Sequence, residues 1–297
     1  MLYTPRHAHL VLVDSDGCVF DNMEVKQVQH FHPLILRHWE LDAIEPQFRA
    51  VAEYVNLRSM WRGSNRFVAL LKVFELLEEI PSVRNSGVIL PDLTPLREWV
   101  ESGEMLDNSN LDAVSADCPG LRKVLDWSLA VNRDIATRMT HVPPFDGAAD
   151  ALTLFHARAD VIVVSLTPVE TLEHDWSTHG LRYDVDAIGG QEWGNKLEQI
   201  QLVMGNKHYG RQKVLLLGDS PGDLEAAKAS DILFYPILPG REVESWRRLL
   251  AEDMDAFFQG RYAGGLQDRR IAGFRAVFQD RPPFSDSRIR EDAATEG

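Results

Sequence analysis

His9-Leu10-Val11-Leu12-Val13-Asp14-Ser15-Asp16-Gly17-Cys18-Val19-Phe20-Asp21 is the stretch on which the reading of the whole chain turns. Leu10 to Val13 is a short run of branched apolar residues, the pattern of a strand buried on both faces. Two carboxylates and a glycine follow it at once. Side chains alternate along a strand, so Asp14 and Asp16 can both point from its carboxyl end into one crevice while Gly17 lets the chain turn away. In open α/β sheets that crevice is where ligands bind. Two acids so close repel unless a cation or a shared proton intervenes, which suggests a metal or an acid/base pair. Asp-Ser-Asp-Gly is equally good chemistry for a β-turn, and the stretch alone does not separate the two readings.

The remaining chain supplies the context. Residues 21–144 have little strand character. Helical spacing runs from Asn22 to about Leu41, with Pro33 expected to start a new helix or kink this one, then from Pro46 to Leu57, Ser64 to Ile80 and Leu121 to Met139. Between Pro81 and Gly120 turn residues surround one short helical piece, Pro95 to Glu101. Pro143-Pro144-Phe145-Asp146-Gly147 reads as a hinge. Beyond it, strands expected at Val161–Val164, Tyr183–Ile188, Val214–Leu217 and Ile232–Tyr235 alternate with helices at Ala148–Ala157, Pro168–Gly180, Leu197–Met204 and Asp223–Ala229. This alternation predicts an α/β fold with a doubly wound, Rossmann-like parallel sheet. Leu10–Val13 must join that sheet, because a lone strand cannot satisfy its own backbone groups. The expected organisation is therefore a core of residues 1–20 and 145–280, an inserted helical module of residues 21–144, and a polar, disordered tail over 281–297. Arg241–Gln259 and Gly265–Phe278 read as further helices.

Composition narrows the function. At 297 residues, 44% hydrophobic and 26% charged, the chain is that of a globular protein with ample core. A net charge of −14 argues against nucleic acid or an anionic membrane as partner, and implies a cation at any site handling an anionic substrate. Two cysteines are too few for a disulfide framework, so a reducing cytoplasm is the expected compartment. No apolar run approaches the roughly 18 residues of a membrane helix, and no signal-peptide core is present.

The expected strand ends carry the chemistry. Val161-Ile162-Val163-Val164-Ser165 ends one strand on a hydroxyl, and Val214-Leu215-Leu216-Leu217-Gly218-Asp219-Ser220-Pro221-Gly222-Asp223 ends another on two carboxylates. Between them Gly189-Gly190-Gln191-Glu192-Trp193-Gly194-Asn195-Lys196 delivers a lysine from a glycine-rich loop. Any one of these is commonplace; the ordered set is not.

In this set the chain resembles the haloacid dehalogenase superfamily, in particular its phosphatases with a helical cap inserted after the first motif. The resemblance covers about Leu10 to Phe20 and Pro143 to Tyr235, on Asp14-Ser15-Asp16-Gly17, Ser165, Lys196 and Gly218-Asp219 with Asp223. It implies Mg²⁺-dependent hydrolysis of a small phosphorylated metabolite. Asp14 would be the nucleophile and form an aspartyl-phosphate, while Asp16 would be general acid and then base. The Asp14 carboxylate, the Asp16 carbonyl and Asp219 would hold the metal, with Asp223 supporting it. Ser165 and Lys196 would contact the phosphoryl oxygens. A carboxylate at Asp16 points to phosphate esters, since a leaving alkoxide needs a proton. A phosphomutase of the β-phosphoglucomutase kind shares these motifs, and a binding protein on the same fold is the alternative outside enzymology.

Other features carry less. Arg58, Arg62 and Arg66 lie in one stretch of the helical module; on a continuous helix Arg62 and Arg66 would share a face and suit an anionic or hydroxyl-rich leaving group. The competing reading pairs them with acids such as Glu53 and Glu75. His7/His9 and His30/His32 read as ordinary histidines rather than metal ligands, and Cys18 as packing. Gly189-Gly190 does not match a dinucleotide fingerprint, so no NAD site is expected, and no G-x-S-x-G elbow is present.

Overall fold

A computed structural model describes residues 3–140, 142–205 and 209–282. Most of the expected tail, residues 283–297, lies outside the described residues. By its internal contacts the chain divides into two compact units, Met1–Met23 with His141–Phe278 and Glu24–Thr140 with Gln279–Gly297.

The first unit is built on five parallel strands: β1 (Leu10–Val13), β2 (Asp160–Val164), β3 (Ala187–Gly189), β4 (Val214–Gly218) and β5 (Leu233–Pro236), in the order β3-β2-β1-β4-β5. β1 is the centre, and it is also where the strand order reverses, the place in such a sheet at which loops part to leave a binding crevice. Its register pairs Val13 with Val163 of β2 and with Leu217 of β4. The residues that follow these strands therefore emerge at one level along a single edge.

Both faces of the sheet are covered, which is why its strands are apolar throughout rather than alternating. Val11, Val13, Val161, Val163, Leu215 and Leu217 pack with Leu152, Phe155, Trp176 and Trp246 on one side. Leu10, Leu12, Ile162, Val164 and Leu216 pack with Ile200, Val203, Leu224 and Phe274 on the other. At the opposite edge from the strand ends, buried Asp160 accepts from the backbone N–H groups of Arg6 (2.8 Å) and His7 (3.1 Å) and from the Tyr209 hydroxyl (2.6 Å). A charge is held inside here because it ties down the segment leading into β1.

One strand differs from the sequence reading. The run from Tyr183 to Ile188 is strand only at its end: Leu181–Asp184 forms a 3₁₀ turn after Gly180, which adopts φ +74°, and Tyr183 is 86% exposed. β3 is an edge strand with a single partner, so three residues suffice. The helix expected over Arg241–Gln259 is interrupted by a π-turn at Leu249–Asp253, and that expected over Gly265–Phe278 stops at Arg275.

The second unit is helical and has its own core, built around Trp39, Phe48, Phe74, Leu77, Trp99, Trp127 and Val131. Pro33 lies in the first turn of a new α-helix, as the sequence reading expects. A π-turn over Lys26–Phe31 precedes the helix His32–Trp39, and the His32 N–H reaches back to the Gln27 carbonyl, so the proline, which has no N–H to give, falls inside the first turn. The turn-rich stretch 81–120 holds more helix than its composition suggests. Asn108–Ser115 is helical because Asp107 caps it, accepting from the Asn110 N–H, and Pro119 opens a helix that runs to Arg138. Among the described residues no helix is long and apolar enough to cross a membrane.

The histidines behave as ordinary side chains. His9 packs edge-on against Phe257 and Phe258, and His30 bonds Asp134 at 2.8 Å. His32 is fully buried against the Phe48 ring, and among the described residues neither of its ring nitrogens has a hydrogen-bond partner. Burial, helped by the nearby Arg49 charge, lowers its pKa to about 4. The unfolded chain, with an ordinary histidine near pH 6.5, binds this proton first, so stability is full above pH 6.5 and falls as pH drops toward 4. At pH 5 the loss is roughly 2 kcal/mol. Denaturant unfolding of wild type and His32→Phe at pH 7.5 and 5.0 is expected to show a smaller pH-dependent loss in the variant; equal losses in both would refute this account.

Candidate active site

The site begins where β1 ends. The Asp14 N–H donates to the Leu217 carbonyl (3.0 Å), extending the ladder by one residue before the chain turns. Gly17 takes φ +76°, and the Val19 and Phe20 N–H groups return to the Ser15 carbonyl at 2.9 and 3.1 Å. The result is a tight loop, anchored from outside by two buried tryptophans: Trp176 Nε1 donates to Ser15 Oγ (3.1 Å) and Trp246 Nε1 to the Cys18 carbonyl (2.9 Å). Cys18 is fully buried in this loop, and burial together with Asp219, Asp14 and Asp223 pushes its thiol pKa well up, leaving a packing residue rather than a nucleophile.

Asp219 follows β4 directly. The next residues close a capping box, in which Ser220 Oγ and N–H both donate to Asp223 Oδ2 (2.7 and 3.1 Å) at the start of the helix Pro221–Ala229. Only glycine is possible at position 218, since a Cβ there would come within 2.5 Å of the Asp223 Cβ. That close approach seats Asp223 at 1% exposure beside Asp14 and Asp219, and one oxygen from each of the three lies within 4.8 Å of the others.

Lys196 is the first residue of the helix Lys196–Met204, whose start is fixed by a second capping box between Asn195 and Glu198. Its Nζ lies 2.7 Å from Asp14 Oδ1 and 2.9 Å from Asp223 Oδ1, and donates to the Val164 carbonyl at 2.7 Å. Burial opposes the charge on Lys196, but Asp14 and Asp223 more than offset it and raise its pKa. Asp14 is driven toward its neutral form: burial, then the neighbouring Asp223 and Asp219, raise its pKa well above the carboxylate range despite Lys196.

Three carboxylates against one ammonium leave the cluster with an excess of negative charge. Converging hard oxygen donors of net negative charge are what a small divalent cation such as Mg²⁺ requires, so the donor set fits one.

Asp16 stands outside that group of three. Its Oδ1 accepts from Asn22 Nδ2 (2.6 Å) and its Oδ2 from the Thr167 hydroxyl (2.8 Å). Ser165, which follows β2, is 2% exposed, and its Oγ accepts the Thr167 N–H at 3.2 Å. Buried Gln199 spans three loop carbonyls, those of Ser165 (2.8 Å), Gly190 (3.1 Å) and Gly194 (2.9 Å), and so fixes the loop carrying Lys196 to the loop carrying Ser165. Asn22, Thr167 and Gln199 have no motif to announce them; each is a single polar residue whose role exists only once the loops meet.

The three arginines lie in the helical unit, and the shared helix face expected for two of them is not formed. Arg62 precedes the helix Arg66–Glu79 and is separated from it by Gly63 at φ +72°, a break that puts the two side chains on different elements. Arg62 is buried and donates to the Leu57 carbonyl (3.3 Å). Arg66 bonds Ser128 and Asn132 (2.7 Å to Oδ1) and lies over the Phe31 ring, with burial lowering its pKa to about 10. Arg58 pairs with Glu53 at 3.0 Å, whereas Glu75 takes Lys72 and Arg97.

No protein-family model and no curated protein matches this sequence. Solved structures do. A haloacid dehalogenase-like hydrolase from Bacteroides fragilis superposes with a TM-score of 0.52 at 14% identity, over 81% of this chain and 93% of its own. A phosphoglycolate phosphatase from Lactobacillus delbrueckii gives 0.46 at 15% identity over 77% and 85%. A haloacid dehalogenase-type hydrolase from Bacillus subtilis, solved bound to magnesium, gives 0.41 at 12% identity over 77% and 88%. The first of these establishes that the chain has the haloacid dehalogenase-like fold.

The ion cluster makes a direct prediction. Removing Lys196 leaves three neighbouring carboxylates uncompensated, and breaking a buried pair in this way costs about 3–5 kcal/mol. In Lys196→Met the Asp14 pKa rises further above its unfolded value, so the stabilisation available when it is protonated is lost as pH rises. Thermal midpoints measured in EDTA should therefore show a deficit of the variant against wild type that grows from pH 5 to pH 8. A deficit that is absent, or constant across that range, would contradict the arrangement.

Proposed function

We propose that this protein is a Mg²⁺-dependent phosphatase of the haloacid dehalogenase type that hydrolyses a small-molecule phosphate monoester through an aspartyl-phosphate. The observation that carries the reading is the separation of two nearby acids into different surroundings: Asp14 in the charged cluster with Lys196, Asp219 and Asp223, and Asp16 between the neutral donors Asn22 and Thr167.

Asp14 is the nucleophile. One of its oxygens bonds to phosphorus as the ester P–O bond breaks, and the bonding pair leaves with the ester oxygen. Asp16 gives that oxygen its proton, so that an alcohol departs rather than an alkoxide. The ionised Asp16 then takes a proton from water as the water oxygen attacks the same phosphorus, releasing phosphate and regenerating both acids. Lys196 and the Ser165 hydroxyl orient the non-bridging oxygens. Asp14, Asp219 and the Asp16 carbonyl are the groups that would hold Mg²⁺, which supplies positive charge against the incoming phosphate. Asp223 supports that set rather than joining it, since one of its oxygens is occupied by Lys196 and the other by Ser220. The protein works on a phosphorylated metabolite in the cytoplasm; Arg62 and Arg66, held inside the helical unit by Leu57, Ser128 and Asn132, have no substrate contact assigned to them.

The test is phosphate release from a panel of phosphate monoesters with and without Mg²⁺. Wild type is expected to turn over only with the metal, and Asp14→Asn to abolish turnover. Asp16→Asn should keep the Mg²⁺ dependence while losing on the order of 10²–10⁴ in rate, the usual contribution of a general acid–base group. Asp219→Asn should raise the Mg²⁺ concentration needed for half-maximal rate. Undiminished turnover by Asp14→Asn would overturn the assignment.

A further inference from the structure

Resting on the phosphatase reading, and going beyond its motif residues, the geometry points to Thr167 as a positioning residue that aims the Asp16 carboxyl group at the leaving oxygen, with Asn22 holding the opposite oxygen. Thr167 is fixed through both of its backbone groups: its N–H donates to Ser165 Oγ (3.2 Å) and its carbonyl accepts the Gln191 N–H (3.1 Å). The second contact depends on Gly190, where a Cβ would stand 2.7 Å from the Thr167 carbonyl oxygen and 2.6 Å from the Val169 nitrogen. Pinning the backbone fixes the direction of the Cα–Cβ bond, and in the rotamer adopted the hydroxyl lies 2.8 Å from Asp16 Oδ2. Asn22 Nδ2 meets Oδ1 at 2.6 Å from the other side, so the plane of the carboxyl group is set by two contacts across it.

The two partners differ chemically. The Asn22 amide nitrogen can only donate, whereas a threonine hydroxyl both donates and accepts. Thr167 can therefore donate to a lone pair of Oδ2 while the carboxyl proton lies toward the leaving oxygen, and can turn its hydroxyl to accept that proton when no substrate is bound, so the contact survives both protonation states. Asp16 needs that property because it gives a proton to the ester oxygen as the P–O bond breaks and takes one from water afterwards. Misplacing a reacting group by an ångström costs about a hundredfold in rate.

Proton donation matters most when the leaving group is a poor one, which gives a readout that a general weakening of the fold does not share. The measurement is kcat/KM, with Mg²⁺, for phosphate monoesters ranging from 4-nitrophenyl phosphate to simple alkyl phosphates, in wild type, Thr167→Val, Thr167→Ala and Thr167→Ser. Because kcat/KM reports events through departure of the alcohol, later hydrolysis of the aspartyl-phosphate does not enter. The expected result is a loss of about ten- to a hundredfold on alkyl phosphates for Thr167→Val and Thr167→Ala, but less than threefold on 4-nitrophenyl phosphate, with Thr167→Ser close to wild type throughout. An equal loss on every ester, no loss on any, or a serine variant as impaired as the valine one would each overturn the role given to Thr167 while leaving the phosphatase reading intact. A wild type without Mg²⁺-dependent turnover on any ester would instead overturn both.

Discussion

The ammonium of Lys196 is the constraint around which the cluster at the strand ends is arranged. It touches Asp14 at the end of β1, the carbonyl of Val164 at the end of β2, and Asp223 in the helix after β4, so one side chain ties together the ends of three neighbouring strands. Each buried ion costs several kcal/mol to desolvate, and two ion contacts do not offset that cost for three carboxylates and a lysine. The cluster is therefore tolerated rather than stabilising, and the rest of the unit supplies what it lacks. Both faces of the sheet are closed with apolar side chains, and Trp176, Trp246 and Gln199 fix the loops by donating to groups that a short turn leaves unsatisfied. A site carrying excess negative charge in such a frame is preorganised for a cation.

Much of this was legible in the sequence because its determinants are local. Leu10–Val13, Val161–Val164 and Val214–Leu217 read as strands from four consecutive branched residues, and the acids, serine and lysine beyond them follow from position alone. Edge and turn effects were not legible. Tyr183 to Ile188 has the composition of a strand, but a strand with one partner can be short, and Gly180 allows a 3₁₀ turn to take its first half. Arg62 and Arg66 have helical spacing, yet Gly63 at positive φ breaks the helix between them. The helix Asn108–Ser115 depends on one cap, Asp107, whose side chain resembles any other acid until its acceptor oxygen meets the Asn110 N–H.

The residues that orient the site were hidden for a different reason. Thr167 and Asn22 lie 145 positions apart in the sequence, and nothing near either one marks it; they become related only when β1 and β2 pair and bring their following loops side by side. Glycines show the same dependence from the other direction. Gly218 and Gly190 matter for the Asp223 side chain and the Thr167 carbonyl that occupy the space a Cβ would need. A motif thus records which groups are present, while the contacts that aim them are distributed over the fold.

Asp14 and Asp16 show what that distribution achieves. The two are separated by one serine and start with the same intrinsic acidity, so a physical difference between them has to come from their surroundings. The tight turn at Gly17 and the pairing of the strands send them to different neighbours. Asp14 enters a cluster of charges, where a cation would hold it ionised and ready to attack, whereas Asp16 is placed between an amide and a hydroxyl that can accompany either of its protonation states. In the proposed reaction these separate environments suit Asp14 to nucleophilic attack and Asp16 to carrying the proton. On this fold the two surroundings are made by the loops after β1 and β2 together with the lysine that reaches them, and under the proposed reaction a change to any of those contacts would act on the chemistry without touching either acid.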